Sequence, residues 1–294
     1  MPHSNPYRCV PGILLSLTSI AAAQTTGAFR DVTDALGLGP DVIGPRIARC
    51  AFADLDRDGA PDLIIDRHRV FMNRSGDGPA GRVFEEVIDP GLPAPEANTT
   101  AAFVDLDGDG VLDAVVAEYV DAQNPDWTDH GRRTGWHRGR GDATFEPRRP
   151  LPVPPRTTIA VAAGDVNLDG RLDLLFGNHY QSPGAGLAGH PDDLLLSRPD
   201  GGWTHHTLPD ESVKFDTKSD PGGRPTFGAM ITPLTDPTRP MLLTLSYGRR
   251  WNRAWQPGAG FRQFRDVAPE LGLDGDGIRH GRYPRWLAER AKTD

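Results

Sequence analysis

One nine-residue pattern, D-x-[DN]-x-D-G-x-x-D, occurs three times in this chain and constrains its fold more than any other feature. The copies are Asp54–Asp62, Asp105–Asp113 and Asp165–Asp173. Eleven Asp residues lie in them, while the net charge of all 294 residues is −8. Carboxylates at alternate positions of a short loop repel one another unless a cation neutralises them. The acidity is therefore concentrated at three points, and the basic surface of a nucleic-acid-binding protein is not indicated.

The spacing of these side chains predicts three calcium (Ca²⁺) sites. Calcium takes about six to eight oxygen ligands from carboxylates, amides and backbone carbonyls. Side chains at positions 1, 3 and 5 would point at one centre, and the glycine at position 6 permits a left-handed turn, after which position 7 offers its carbonyl. Position 9 supplies a last carboxylate. The predicted ligands are Asp54, Asp56, Asp58, Ala60 and Asp62, then Asp105, Asp107, Asp109, Val111 and Asp113, then Asp165, Asn167, Asp169, Arg171 and Asp173.

Position 12 separates this pattern from the EF-hand, whose loop needs an acidic residue there. The three residues at position 12 are Ile65, Val116 and Phe176. Each ends a short apolar run that is typical of a buried strand, and the residues before each loop are also strand-like. Each copy is therefore predicted to be a strand–calcium loop–strand unit. The alternative is an acidic hairpin turn without a metal, since Asp and Gly are ordinary turn residues.

The spacing of the copies predicts an all-β fold of repeated sheets. Their first positions lie 51 and 60 residues apart, and a period of about 40 to 50 residues with four strands is typical of β-propeller blades. A second pair of strand candidates follows each loop, and in the second repeat the later candidate is Ala143–Glu146. We therefore predict a β-propeller of about four four-stranded blades. The blades are expected near residues 50–98, 99–155, 156–222 and 223–273, with a partial segment at 274–294.

A fourth repeat is predicted to form a blade without calcium. Its apolar strand begins near Met241. Aligning that strand with the other three places Thr232, Leu234, Asp236 and Pro240 at the ligand positions, and one of these four is acidic. The oxygen ligands that calcium requires are therefore missing from this loop.

Segments near both ends connect the chain to a known family. The pattern F-x-D-V-x-x-x-L-G-L occurs at Phe29–Leu38 and again at Phe264–Leu273, and each copy is predicted to be the outer strand of a blade. Together with the loops and the trailing Val70–Asn73, these segments resemble FG-GAP/VCBS repeat proteins, whose blades are similar to those of the integrin α-subunit propeller. The resemblance implies a propeller with calcium between the first two strands of a blade.

The number of repeats departs from that family. Its members commonly have about seven blades, within the usual range for propellers, whereas this chain has about four. Closure of the ring by four blades, an open arc and assembly with a second chain are the alternatives. Self-association is therefore one of the expected interactions.

The N-terminus is predicted to be an export signal at residues 1–23. A basic residue precedes the apolar stretch Val10–Ala23, which ends in an A-x-A cleavage pattern and is too short to span a bilayer. The mature chain, residues 24–294, would be secreted to the extracellular space or the periplasm and would have no membrane span. The alternative is a buried strand or a tail. Cys50 would remain in the mature chain, and we expect it to be buried and apolar.

Aromatic and basic residues follow the second strand of each predicted blade, about fourteen positions after the start of the loop. Because the second strands all end on one side, these residues should share a face opposite the calcium loops. We predict that this face binds a protein or a glycan, and ordinary polar loop residues are the alternative. The residues are His68, Tyr119, His179, Tyr180, Tyr247 and Arg249.

Catalytic motifs are missing from the sequence. It contains no Gly-x-Ser-x-Gly elbow, P-loop or His-Glu-x-x-His pattern. The histidines do not follow the Cys and carboxylate spacing of zinc sites. A non-catalytic binding or adhesion scaffold braced by calcium is the predicted function. The alternative, by analogy with the family, is the propeller part of an extracellular polysaccharide lyase or hydrolase.

Overall fold

In this computed structural model the described residues are 29–44, 49–94, 100–119, 133–181, 189–209, 225–247 and 251–274. The predicted export signal lies outside them, as does nearly all of the predicted C-terminal segment.

The described residues form four antiparallel sheets of four strands, and each sheet uses four consecutive strands in chain order. The predicted all-β class is therefore confirmed, with two hairpins in each repeat. Sheet 1 contains β1 (Cys50–Ala53), β2 (Asp62–Ile65), β3 (Arg69–Ser75) and β4 (Arg82–Glu86). Sheet 2 contains β5 (Ala101–Val104), β6 (Asp113–Val116), β7 (Gly135–His137) and β8 (Arg149–Pro150). Sheet 3 contains β9 (Thr158–Gly164), β10 (Asp173–Asn178), β11 (Asp193–Ser197) and β12 (Trp203–Thr207), and sheet 4 contains β13 (Thr226–Thr232), β14 (Met241–Ser246), β15 (Arg253–Pro257) and β16 (Phe264–Asp266).

The helices of the described residues are single turns. The α-helical turns are α1 (Pro40–Ile43) and α2 (Ala268–Leu271), and the 3-10 turns are Asp34–Leu36, Pro79–Gly81 and Ala259–Phe261. Short elements of this kind need packing against a sheet to persist, because an isolated helix of one turn is unstable in water.

The hairpin between the first two strands has the same register in sheets 1, 2 and 3. The last residue of the first strand lies opposite the Asp at position 9 of the loop. The strand–loop–strand prediction is therefore confirmed in all three copies. The facing pairs are Ala53 with Asp62, Val104 with Asp113 and Gly164 with Asp173.

The fourth hairpin corrects the predicted alignment by one residue. Thr232 lies opposite Met241, so Thr232 is equivalent to the residue before each acidic loop and Pro233 occupies position 1. Met241 then occupies position 9 and is 2% exposed, so a buried thioether replaces the buried carboxylate of the other repeats. In this register Tyr247 is equivalent to His179.

The four sheets stack face to face in chain order. Neighbouring residues of a second strand point to opposite sheets, as the side-chain alternation of a strand requires. In β6, Val116 packs in the core between sheets 1 and 2, and Val115 packs in the core between sheets 2 and 3. In β10, Phe176 packs towards sheet 2 and Leu175 towards sheet 4. These strands are buried on both faces, which explains their continuous apolar sequences.

The segment before sheet 1 covers the outer face of that sheet. Leu36 and Leu38 pack against Leu63 and Phe71. The predicted outer strand at the start of this segment is wrong, because residues 29–33 contain no strand. In the described residues this stretch pairs with no strand, and the 3-10 turn Asp34–Leu36 follows it. The second copy of the pattern does form the outer strand β16, as predicted.

The outer strand of sheet 2 also differs from the prediction. It is β8, which pairs with β7, whereas the predicted strand Ala143–Glu146 contributes one isolated bridge from Phe145 to Gly139. The backbone of Ala143 is left-handed, with φ of 63°, and this interrupts the extended conformation. Phe145 is instead buried between sheets 1 and 2.

Cys50 is exposed, so its predicted burial is wrong. Its side chain shares one face of β1 with that of Phe52, because residues two apart in a strand point the same way. Phe52 is 64% exposed. The residues around Leu36 pack on the other three strands of sheet 1 and leave this part of β1 uncovered.

The stacking of sheets 3 and 4 predicts the effect of one truncation. Leu175 is fully buried between them, so Leu175→Ala should lower the free energy of unfolding by about 2–5 kcal/mol through lost burial and the cavity left behind. Leu234→Ala is the matched control, since Leu234 is 40% exposed, and its effect should stay within about 0.5 kcal/mol. Urea denaturation of both variants tests this, and equal effects would contradict the face-to-face packing.

Candidate functional site

The three acidic loops share the same internal hydrogen bonds. In the first loop the carboxylate of Asp54 accepts the backbone N–H groups of Asp58 at 3.1 Å and Gly59 at 3.0 Å. Asp105 and Asp165 accept the two equivalent N–H groups at 2.8 to 3.0 Å. The glycine at position 6 has φ of 83–85° in all three loops, a backbone conformation that strains other residues.

This loop conformation gathers the side-chain oxygens of positions 1, 3 and 5. Oxygens of these three side chains lie within 4.8 Å of one another in the first two loops. In the third loop Asn167 occupies position 3, and its Oδ1 accepts the N–H of Asp169 at 3.1 Å. Asp56 accepts the N–H of Asp58 in the same way at 3.2 Å. The acidic sets are Asp54, Asp56 and Asp58, and Asp105, Asp107 and Asp109.

Position 7 was predicted to offer its backbone carbonyl to calcium. In the structure its N–H group makes the hydrogen bond that closes the turn. In each loop this N–H donates to Oδ1 of the Asp at position 5, at 2.8 to 3.0 Å. Such a bond from backbone to an Asp two residues earlier is an Asx-turn. The residues at position 7 are Ala60, Val111 and Arg171.

The Asp at position 9 is buried and joins the loop to the third strand of its sheet. Asp62, Asp113 and Asp173 are each 0% exposed. One oxygen accepts the N–H of loop position 2 at 2.9 to 3.0 Å. The other oxygen accepts an N–H within or just after the third strand at 2.8 to 2.9 Å. Each oxygen keeps a second lone pair, and the acidic groups gathered in the first two loops consist of positions 1, 3 and 5 without position 9.

Burial raises the pKa of these three carboxyl groups above the ordinary Asp value, to about 6 for Asp173. The two backbone N–H groups act in the opposite direction, because they stabilise the ionised form. A bound cation would act in that direction too.

An arginine pairs with the outer carboxylates of each acidic loop. In the second loop two guanidinium nitrogens lie 2.8 Å and 2.6 Å from carboxylate oxygens. A guanidinium therefore offsets part of the repulsion that calcium was expected to neutralise. These pairs are solvent-accessible and each contributes little to stability. The pairs are Arg74 with Asp56, Arg138 with Asp107 and Asp109, and Arg171 with Asp169.

The fourth loop is organised differently. Asp236 accepts the N–H of Thr238 at 2.9 Å and its hydroxyl at 2.6 Å, and it pairs with Arg239 at 3.7 Å. In the corrected register Asp236 lies at position 4. It is therefore not equivalent to an Asp of the acidic loops.

Four residues of the predicted partner-binding face lie together at the opposite end of the sheets. The ring centroid of His179 lies 6.5 Å from Tyr119, 4.2 Å from Tyr180 and 5.5 Å from Tyr247. Tyr119 belongs to sheet 2, whereas Tyr247 follows β14 of sheet 4. The ends of three sheets therefore converge on His179. Arg249 lies outside the described residues.

Two histidines of the predicted face are less accessible than expected. His68 is half-buried, and its Nδ1 donates a hydrogen bond to the carbonyl of Asp66 at 2.9 Å. His179 was expected on a solvent-exposed face and is 9% exposed. It is buried because the rings from neighbouring sheets pack around it.

Sequence reasoning missed one member of this cluster and a basic residue that lies against it. Phe227 of β13 stacks on Tyr247 with centroids 5.6 Å apart and an interplanar angle of 27°. The guanidinium of Arg49 lies 5.7 Å from the Phe227 centroid. The available signal was strand pairing, because Thr226, next to Phe227, pairs with the residue before Tyr247. We name Tyr119, His179, Tyr180, Phe227 and Tyr247 the aromatic cluster.

A buried polar network adjoins the aromatic cluster. The carboxylate of Asp192 accepts the N–H of Asn178 at 2.8 Å and the hydroxyl of Thr226 at 2.9 Å, which links sheets 3 and 4. Burial raises the pKa of Asp192 to about 7. The adjacent Asp193 pairs with Arg156 at 2.8 Å. Asp192 is therefore held as a neutral acid over part of the physiological pH range.

Over the part of the chain that the structure describes, no helix has the length and apolar character to cross a membrane.

Comparison with known proteins finds a distant structural likeness to a lectin. No family model and no curated protein matches the sequence. Among solved structures, a lectin from Agrocybe aegerita, described as recognising non-reducing terminal N-acetylglucosamine, matches with 16% identity and a TM-score of 0.44. The match covers 78% of this chain and 55% of the lectin, so the chain spans about half the length of that protein. A likeness this low does not inform the site.

The raised pKa of Asp192 predicts a pH effect on stability. Between about pH 4 and pH 7 the folded state keeps a proton that the unfolded chain releases, so the contribution of Asp192 to stability falls as pH rises through this range. Asp192→Asn keeps a neutral hydrogen-bond acceptor at this position and has no carboxyl group to titrate, so its stability does not fall in this way as the pH rises. Between pH 5 and pH 8 the free energy of unfolding of the variant should therefore rise relative to wild type by about 3 kcal/mol, from the two pH units between pH 5 and the pKa of Asp192.

Urea denaturation at the two pH values measures this gain. Asp236→Asn is the control, because the hydrogen bonds from Thr238 lower the pKa of Asp236 and its carboxylate stays ionised at both. If Asp192→Asn changes the free energy of unfolding by the same amount at pH 5 and at pH 8, the raised pKa assigned to Asp192 is contradicted.

The position-9 carboxylate predicts a second stability effect. Asp113→Asn turns one acceptor oxygen into a donor that faces a backbone N–H, and the free energy of unfolding should fall by about 1–3 kcal/mol in calcium-free buffer. Asp107→Asn in the same loop should change it by less than about 1 kcal/mol, since Asp107 is exposed and makes a surface ion pair. Equal losses would show that the buried bonds do not anchor the loop.

Proposed function

We propose that this chain is a calcium-binding, propeller-type repeat protein that acts as a non-catalytic binding scaffold. The observation that carries the proposal is the gathering of the side-chain oxygens of positions 1, 3 and 5 in one loop conformation, repeated at the same place in successive sheets. A turn that served the backbone alone would need one Asp or Asn, whereas each loop has three. This excess of oxygen ligands is what a calcium site requires.

The residues present fit calcium by their chemistry. In each loop the side chains of positions 1, 3 and 5 would hold the ion together with the carbonyl of position 7, and the carboxylate of position 9 lies behind them. When bound, calcium supplies two positive charges that neutralise the carboxylates. The chain's own residues shape the loop: position 1 caps two N–H groups, and position 9 fixes the loop to the third strand. Arg138 and its counterparts would share the outer oxygens with the ion.

The arrangement of the sheets supports blades of a propeller. The sheets stack face to face in chain order, and β9 packs against both β5 and β13. First strands that adjoin one another are expected where blades surround a common axis. We place the chain with FG-GAP/VCBS repeat proteins on this basis and on the loops, as a secreted or periplasmic protein. Ring closure by four blades, an open arc and pairing with a second chain remain the three alternatives.

The two ends of the sheets are proposed to have separate roles. Consecutive antiparallel strands place the loop after the first strand and the turn after the second at opposite ends. The acidic loops therefore brace one end, and the aromatic cluster lies at the other. A binding site held on loops by a rigid scaffold is the common arrangement in such folds. A protein or a glycan is the proposed partner.

Calcium binding predicts a thermal stabilisation. Each filled loop should stabilise the folded chain by about 1–3 kcal/mol at saturating calcium, because the ion binds the folded state alone. The melting temperature should therefore be higher in calcium than in EDTA. The double variant Asp107→Asn and Asp109→Asn should lose about a third of this calcium-dependent increase, since it disables one loop of three.

Differential scanning fluorimetry with and without calcium makes the measurement. Asp236→Asn is the matched control and should keep the whole increase, because its loop lacks the ligand set. Identical melting of the wild-type chain in EDTA and in calcium would refute the proposal.

A further inference from the structure

His179 has a buried imidazole without a hydrogen-bond partner in the described part of the chain. The residue is 9% exposed, and neither Nδ1 nor Nε2 of its ring is bonded to a described residue. A buried polar group left unpaired destabilises the folded state. Phenylalanine would fill the same space among these rings without that cost. The unpaired nitrogens are therefore evidence that the imidazole has a task beyond packing.

The rings around His179 leave one side of the aromatic cluster open to solvent. Phe227 is 51% exposed and Tyr247 is 49% exposed, and the two rings stack on each other. Adjacent apolar faces that stay in water mark a contact surface more often than chance exposure does. Aromatic faces with a few polar groups are typical of sites for small ligands that are apolar on one side.

The charge around this surface favours a neutral ligand. Burial lowers the pKa of His179, so the imidazole is neutral and has one donor and one acceptor. A hydroxyl group, which also donates and accepts, complements both nitrogens. Arg49 already lies over Phe227 and would repel a cationic ligand. An anion could use the donor of the imidazole and would be repelled by its acceptor lone pair, so the ring suits a hydroxyl better.

We propose that the aromatic cluster is a carbohydrate-binding site, in which a sugar ring lies on Phe227 and a sugar hydroxyl bonds to His179. A pyranose combines an apolar C–H face with a rim of hydroxyl groups, which is the combination that these residues match. The nitrogens of His179 are covered by the surrounding rings. Binding therefore requires the half-exposed ring of Tyr247 to leave its stack on Phe227, and the sugar ring takes its place there. This inference rests on the proposed function as a binding scaffold and names its ligand class.

The test is a titration of the full chain in calcium with the methyl glycosides of glucose, galactose, mannose and N-acetylglucosamine. Tyrosine fluorescence and saturation-transfer NMR report binding. At least one glycoside should bind saturably, whereas sorbitol, an open-chain polyol without a ring face, should not. His179→Phe should keep or raise the melting temperature, because it removes two unpaired buried nitrogens, and yet weaken glycoside binding at least about tenfold, the equivalent of one hydrogen bond.

Two further variants separate binding from folding. Phe227→Ala should abolish the signal, whereas Phe52→Ala, which removes another exposed ring on sheet 1, should leave it unchanged. A folded His179→Phe variant with wild-type affinity would overturn the role of the imidazole. Binding of choline but of none of the glycosides would overturn the ligand class and indicate a cation site.

Measuring the melting temperature with and without calcium separates the carbohydrate proposal from the calcium proposal. If no glycoside binds while calcium still raises the melting temperature, the carbohydrate inference is overturned and the calcium scaffold stands. If glycosides bind and calcium has no effect on melting, the site stands without the metal.

Discussion

A buried carboxylate at the start of each second strand is the interaction on which the repeated geometry depends. Its two oxygens accept one N–H from the acidic loop and one from the third strand, so it joins three segments that are far apart in sequence. Without those bonds two buried N–H groups would be unpaired, at a cost of about 1–3 kcal/mol each. The fourth repeat achieves the same register with a buried Met241. Its loop then has no acidic cluster to hold.

The acidic loops and the aromatic cluster lie at opposite ends of the same sheets and differ in their charge. The loops concentrate charge that needs a cation, and arginines provide part of it. The aromatic cluster excludes charge and leaves a neutral imidazole unpaired among rings. Face-to-face stacking of the sheets connects the two ends, because β6, β10 and β14 begin at position 9 of their loops and end near Tyr119, His179 and Tyr247, respectively. A rigid strand of this kind holds a binding residue at a defined place.

Regular spacing made much of this fold predictable. The loop pattern recurs at one register, and equivalence between repeats correctly placed Tyr119, His179 and Tyr247 together. No local pattern encodes the contacts between sheets. Phe227 was missed because the register of β13 against β14, which brings Phe227 beside Tyr247, was not fixed from the sequence. The outer strand expected at Phe29 failed because a strand needs a neighbour to pair with. The predicted alignment at Met241 was wrong by one residue because the fourth loop, which contains Pro, lacks the acidic pattern by which the other three loops align. Whether an ion occupies the loops is a prediction from ligand chemistry.

The most direct measurement of the central claim is the number of calcium ions bound to the folded chain. Native mass spectrometry in dilute calcium gives that number and the number of chains per particle together. We predict three ions per chain, one for each acidic loop. A folded chain that retains no calcium would contradict this claim, and would leave Arg74, Arg138 and Arg171 as the cations that neutralise the loops.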